Sequence, residues 1–388
     1  MLAHWHDGPQ SAEFGANLSA QAAASMTAPT ASSYPTTPSL RSLPLVTLYL
    51  TERCNSRCIS CDYWQHGRAD MTPEFVSRLL PSLAQLGTRT ILISGGEPLI
   101  HPQWALIAEQ LRASGLRLWL LTSGLSLAKH AVRAAQLFES ITVSLDGSNR
   151  NTYAAIRGLD AFDKVCAGIR ATAEAGVTPS VRVTVQRANY REMAGFVELA
   201  RRSGARQVSF LAADVSNPHA FGRMAGFAAD VALGPLDLPH LERILATMER
   251  AHAKDFLSGF IAESPQKLRR ILQYYAAICG VGAYPPTRCN APEFSAVIAA
   301  DGHVNPCFFI PGPATAQVDG GLVTALNSEP MAALRTDIRE RRRPECTRCV
   351  CSMWRDLDPA AAPDWSPAAL TRPPHTRAAL TLPLSDGL

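Results

Sequence analysis

Between Pro44 and about residue 212 the chain alternates short apolar runs with helix-period stretches, and this rhythm limits the fold more than any other feature. The runs are "LVTLYLT", "RTILISG", "LRLWLLT", "SITVSLD", "VRVTVQ" and "QVSFLAA". Amphipathic stretches separate them, among them "TPEFVSRLLPSLAQLG", "QWALIAEQLRASG" and "NYREMAGFVELARRSG". In the first of these, Thr72 is placed as N-cap, Pro73 at the first helical position and Gly87 just past the end. Apolar strands alternating with amphipathic helices predict a parallel βαβ array with both sheet faces covered. Six such units exceed a small domain and suit an open or closed (β/α) barrel, whose ligands gather at the C-terminal strand ends.

After Ala213 the rhythm breaks. A small-residue loop, "DVSNPHAFGRMAGFAADVALGP", precedes helical stretches around 238–254 and 264–278, and "EFSAVIAADGHVNPCFF" reads as a β-hairpin turning at "ADGH". Residues 1–41, rich in Ala, Ser, Thr and Pro, read as a disordered leader, with Met26 as an alternative start; the Pro-rich tail 357–388 reads the same way. The 47% apolar content of the 388 residues is enough for a sizeable core. A net charge of +4 with only 18% charged residues provides no broad basic surface, so a nucleic-acid partner is not expected. No apolar run reaches membrane-spanning length and no secretory signal is read, which places the ten cysteines in a reducing cytoplasm. There, clustered thiols mean metal or redox chemistry more often than disulfides.

Three of those thiols, Cys54, Cys58 and Cys61, fall within "ERCNSRCISC", directly after the first strand. They are one short of a closed zinc site, and the next cysteine, Cys166, lies in a helical stretch as a core residue. A 4Fe–4S cluster held by three cysteines keeps one iron free for a further ligand. The spacing favours that open cluster over zinc without excluding zinc.

The CxxxCxxC spacing, followed about 35 residues later by "SGGEPL", resembles the radical S-adenosylmethionine (radical SAM) superfamily across roughly residues 44–212. The resemblance implies a partial (β/α)6 barrel of the α/β class. It also implies a cluster whose unique iron chelates the amino and carboxylate groups of SAM, and reductive cleavage of SAM to a 5′-deoxyadenosyl radical that abstracts hydrogen from a substrate. A one-electron donor such as flavodoxin or ferredoxin is the implied partner. On this likeness Gly95, Gly96, Glu97 and Pro98 of "GGEPL" form the SAM cradle, with Glu97 accepting from the SAM ammonium. Thr122 in "LTSG", with Ser144 and Asp146 in "SLDG", present polar groups to the ribose and carboxylate of SAM. Arg157 in "YAAIRG" is a carboxylate partner, and Thr184 on the fifth strand is a further contact. The sequence departs from the family at the position before the third cysteine, often aromatic there and Ser60 here, so adenine is expected to be met by other groups, with Tyr63 and Trp64 following.

The later cysteines Cys289 and Cys307, in a C-x12-G-x4-C arrangement, and "CTRCVC" with Cys346, Cys349 and Cys351, are equally open to zinc or an iron–sulfur cluster on spacing alone. Beside the radical SAM pattern they resemble the twitch form of the SPASM extension, which implies one auxiliary 4Fe–4S cluster held by Cys289, Cys307, Cys346 and Cys349. Cys351 is an alternative ligand that displaces Cys349 or packs beneath it. The expected organisation is then a core over 42–235 and, over 236–356, linker helices with a small α+β cluster-binding extension.

The resulting reading is a radical SAM enzyme acting on a peptide or protein side chain. A dehydrogenase of a small molecule such as a sugar, alcohol or cofactor precursor is the alternative. The rival from another class is a zinc-stabilised, non-catalytic interaction module; RNA methylation ranks below both.

Overall fold

The protein is described from a computed structural model over residues 39–65, 67–218 and 228–355. The expected tail and nearly all of the expected leader lie outside these residues. All six expected strands form: β1 Leu45–Tyr49, β2 Thr90–Ser94, β3 Arg117–Thr122, β4 Ser140–Ser144, β5 Ser180–Val185 and β6 Gln207–Ala212. Each pairs in parallel with the next. Between them run α1 Pro73–Gln85, α2 Trp104–Ala113, α3 Leu127–Leu137, α4 Arg150–Arg157, α5 Phe162–Glu174 and α6 Met193–Arg202. This is the expected partial (β/α)6 barrel.

Local chemistry accounts for the boundaries. Thr72 caps α1 by accepting from the Phe75 amide at 3.1 Å, with Pro73 at the first helical position as the sequence predicts. In α3 the buried side chains are Leu127, Ala131, Ala134 and Leu137, spaced at three and four residues, so one stripe faces the sheet. Each fully buried leucine of this kind contributes roughly 1.5–3 kcal/mol. The outward positions of β5, Val181, Val183 and Val185, are fully buried beneath the helices, whereas Arg182 and Thr184 on the inward side are not.

The expected hairpin also forms, as β7 Ser295–Ile298 and β8 Val304–Asn305, with Gly302 in the turn at φ +86°. Its placement is not readable from the sequence. β7 pairs in parallel with β1, giving the sheet order β6-β5-β4-β3-β2-β1-β7-β8. The hairpin thereby brings Cys307 close to the strand that leads into the first cysteine loop.

At the other end, β6 is an exposed-edge hazard that the chain covers. The Val208 amide donates to Phe260 O at 2.8 Å, and the buried Glu263 carboxylate accepts from the Phe210 amide at 2.8 Å and from Ser209 Oγ at 3.0 Å. The helix Pro265–Ile278, which begins two residues after Glu263, is tied to the barrel by that carboxylate. The described residues fall within one compact unit.

Candidate active site

The C-terminal strand ends open into a cleft of about 1620 Å³ including its mouth. Cys54, Cys58 and Cys61 line one side of it, next to Gly95 and Gly96. Two attachments shape the cysteine loop. The Arg57 and Ile59 amides each donate at 3.0 Å to the carbonyls of Arg157 and Ile156, so the loop hangs on the last turn of α4. Gly158, in the left-handed region at φ +71°, ends that helix where a Cβ would sit 2.6 Å from the Arg57 carbonyl oxygen. On the other flank the Gly96 and Glu97 amides donate to the Thr51 and Arg53 carbonyls at 2.8 and 2.9 Å, and a side chain at Gly96 would overlap the Arg53 carbonyl. Both "GGEPL" and "YAAIRG" therefore act first as clamps on the cysteine loop.

Burial pushes the three thiols up, Cys54 to about 11 and Cys61 to about 12. Burial also raises Cys58, but the Arg157 guanidinium opposes it, with Nη1 3.6 Å from the sulfur. Arg157 is itself buried and pairs with the buried Asp146 at 2.8 Å. The Asp146 carboxylate also accepts from the Thr184 amide at 2.7 Å, so one charge pair joins β4, β5, α4 and the cysteine loop. Burial lowers the arginine's affinity for its proton, while Asp146 and Cys58 together leave it raised.

The remaining expected contacts divide. Thr122, Ser144, Asp146, Arg157 and Thr184 line the cleft with Gly95 and Gly96. Glu97 was expected to meet the SAM ammonium, yet its side chain is fully buried, accepting from Thr122 Oγ1 at 2.7 Å, the Ser123 amide at 2.6 Å and the Leu99 amide at 3.1 Å. It bridges the ends of β2 and β3 because those donors satisfy its charge more closely than an open cleft would. Pro98 is buried beside it in a short 3-10 turn. Tyr63 lines the cleft and meets Tyr49 edge-on, ring centroids 5.8 Å apart, whereas Trp64 is 37% exposed. Tyr49 carried no motif signal; strand alternation alone could have aimed it inward.

A second, tighter cavity is lined by Cys289, Cys307, Cys346, Cys349 and Cys351, between Phe308, Phe309, Ile310, Ile338 and Met353. Burial raises Cys307 to about 11 and Cys346 to about 12, and pushes Cys349 and Cys351 up as well. Cys307 lines both cavities. Cys166 is buried in α5, as expected of a core residue, and Cys279 ends its helix with its thiol 3.4 Å from Leu233 O. Among the described residues no three His, Cys, Asp or Glu side chains close tightly enough to hold a single metal ion, and no helix is long and apolar enough to cross a membrane.

Comparison with known proteins gives this geometry a family. The sequence pattern of the Radical SAM superfamily matches residues 48–200. An AdoMet-dependent heme synthase of Methanosarcina barkeri is 32% identical over 168 residues, 42% of this chain and 48% of that protein. GTP 3′,8-cyclase 1 of Mycobacterium tuberculosis is 36% identical over 179 residues, 42% and 49% of the two chains. The chain thus spans about half the length of these curated relatives. Among solved structures, Streptococcus suis SuiB bound to S-adenosylmethionine superposes with a TM-score of 0.58 at 14% identity, covering 76% of this chain and 68% of that one. Native anSMEcpe with bound AdoMet and a peptide gives 0.56 at 18% identity, covering 79% and 86%. At these identities the structural likeness speaks for the fold, and the sequence match for the segment that carries the first cysteine loop. Residues 48–200 form a radical SAM domain.

Proposed function

We propose that this chain is a radical SAM enzyme that abstracts a hydrogen atom from a peptide or protein side chain and carries a second, auxiliary cluster. The observation that carries the reading is the gathering of the three CxxxCxxC thiols, the glycine cradle and the polar strand tips around one cleft. The donor set fits a 4Fe–4S cluster: three soft thiols line open space beside the glycine cradle, which would leave one iron without a protein ligand. The cluster with SAM supplies one-electron cleavage of the sulfonium, giving methionine and a 5′-deoxyadenosyl radical that takes a hydrogen atom from substrate.

The chain's own residues would hold and orient these groups. Cys54, Cys58 and Cys61 bind the cluster, and Arg157 offsets negative charge at Cys58. Gly95 and Gly96 admit SAM close to the backbone, while Ser144 and Thr184 offer hydroxyls to its polar groups and Tyr49 and Tyr63 an aromatic wall. Cys289, Cys307, Cys346 and Cys349 hold the auxiliary cluster, with Cys351 as the alternative ligand, and a flavodoxin- or ferredoxin-type protein delivers the electron.

A small-molecule substrate is the second reading, favoured by the relatives above, whose names denote a heme synthase and a GTP cyclase. Anaerobic reconstitution with iron and sulfide tests the class: about eight irons per chain and dithionite-dependent 5′-deoxyadenosine are expected. Zinc alone in anaerobically purified protein, with no SAM cleavage after reconstitution, would overturn it.

A further inference from the structure

The first cysteine loop is a wall one chain thick. Along it successive side chains alternate between two sides: Cys54, Ser56, Cys58 and Ser60 line the cleft, whereas Asn55, Arg57 and Ile59 between them are exposed. The pattern resumes after Cys61, with Tyr63 lining the cleft and Trp64 exposed. The loop therefore has an inner face that carries the thiols and an outer face that meets solvent. Its backbone is held in place by the Arg157 and Ile156 carbonyls, which leaves the outward side chains uncommitted to the fold.

That outer face combines apolar area with uncancelled positive charge. Ile59 and Trp64 are each 37% exposed, and among the described residues Trp64 is the one exposed aromatic side chain. The Arg57 guanidinium lies over its ring, 5.8 Å from the centroid. Arg68, also exposed, follows four residues after Trp64. Neither arginine forms an ion pair with a described carboxylate, whereas the neighbouring Arg53 is paired with Asp70 at 2.5 Å. The other carboxylates of this segment are turned to the chain itself: Glu52 accepts from the Ala69 amide at 3.0 Å, and Asp62 from the Gln65 side-chain amide at 2.9 Å.

We propose that this outer face, built on Arg57, Ile59, Trp64 and Arg68, is the docking surface of an acidic one-electron carrier protein. The assignment rests on the loop holding the cluster, as proposed above. A carrier seated there is separated from the three thiols by a single chain, while an approach through the cleft would compete with SAM and substrate. Exposed Trp and Arg are the residue types that anchor protein interfaces, and unpaired guanidinium groups steer an acidic partner towards them. The step moves one electron and no atom: the carrier's reduced centre is oxidised by one, and the cluster held by the loop is reduced by one.

The test follows 5′-deoxyadenosine formation by anaerobically reconstituted protein with dithionite, with reduced flavodoxin and with a reduced 2Fe–2S ferredoxin, the carriers at low and high salt. With at least one carrier the wild-type rate is expected to saturate, and to need more carrier at high salt. In Arg57→Gln/Arg68→Gln the apparent KM for that carrier is expected to rise about tenfold and to lose most of its salt dependence, while iron content and the dithionite rate stay within about twofold. Arg57→Lys/Arg68→Lys is expected to recover most of the loss. Should the first variant hold less iron, Arg68→Glu, which lies outside the cysteine motif, makes the same comparison. An unchanged KM in these variants, or a wild-type protein that works with dithionite and with neither carrier, overturns the docking surface alone. Absence of cleavage with dithionite in the wild-type protein would sink the enzyme reading and the surface with it.

Discussion

The two thiol-bearing regions differ in what surrounds them. Cys54, Cys58 and Cys61 line a wide cleft set with polar strand tips and are hung on α4, with a charged guanidinium against one sulfur. The five C-terminal thiols line a smaller cavity walled by Phe308, Phe309, Ile310, Ile338 and Met353. A three-thiol site beside open space leaves room for a further ligand, and a five-thiol site does not need one. Their shared boundary is Cys307 with Phe308, Phe309 and Ile310, which line both, set near β1 by the β1–β7 pairing.

The sharpest way to break this contrast is at the first site. Cys58→Ala is expected to reduce 5′-deoxyadenosine formation to background and to lower iron by about four per chain, measured by chromatography and iron analysis. Retained cleavage would remove the distinction between the two regions. Cys307→Ala is expected to lose a similar amount of iron and all product on the true substrate, while uncoupled SAM cleavage persists in part. If both variants behaved alike, the sites would not be functionally separate.

Within the second site, Cys349→Ala and Cys351→Ala decide the ligand. The true ligand's loss should halve total iron and the 400 nm region absorbance to about the level of a single cluster, and loss of the spare should leave both unchanged. A fourth comparison concerns the buried charge pair at the first site. Asp146→Asn leaves Arg157 buried without its carboxylate and is expected to cost about 3–5 kcal/mol in urea unfolding. A loss below about 1 kcal/mol would mean that the pair is solvated and does not anchor the loop.

The smallest effect unites the regions. In metal-free protein the thiols Cys54 and Cys307 hold their protons up to about pH 11, while those of the unfolded chain release them near 8.5. The folded state therefore binds more protons over that interval, so its extra stability is complete below about pH 8.5 and is lost as pH rises towards 11. A falling urea midpoint across this window, absent from cluster-loaded protein whose ligands are already thiolates, is the expected outcome. A flat profile in metal-free protein would mean that the thiols are solvated.

Much of this molecule is legible in one dimension. Apolar runs between amphipathic helices announced β1 to β6 because strand burial and helix periodicity are properties of neighbouring residues. The Thr72–Pro73 helix start and the 295–305 hairpin follow from equally local turn and cap chemistry. The first cysteine loop is just as local, three ligands within eight positions.

What the sequence alone left undetermined is how residues far apart in the chain satisfy one another. Glu97 has the composition of a ligand-binding carboxylate, but two donors from the end of β3, 25 and 26 residues away, turn it inward. Arg157 was expected as a carboxylate partner without that carboxylate being identified; the fold gives it Asp146 and, 99 residues back, Cys58. Only the tertiary structure set β7 beside β1 and brought five C-terminal thiols to one cavity. The physical reason is that secondary structure is fixed by nearest-neighbour periodicity, whereas a buried charge takes whichever partner the completed packing brings within reach.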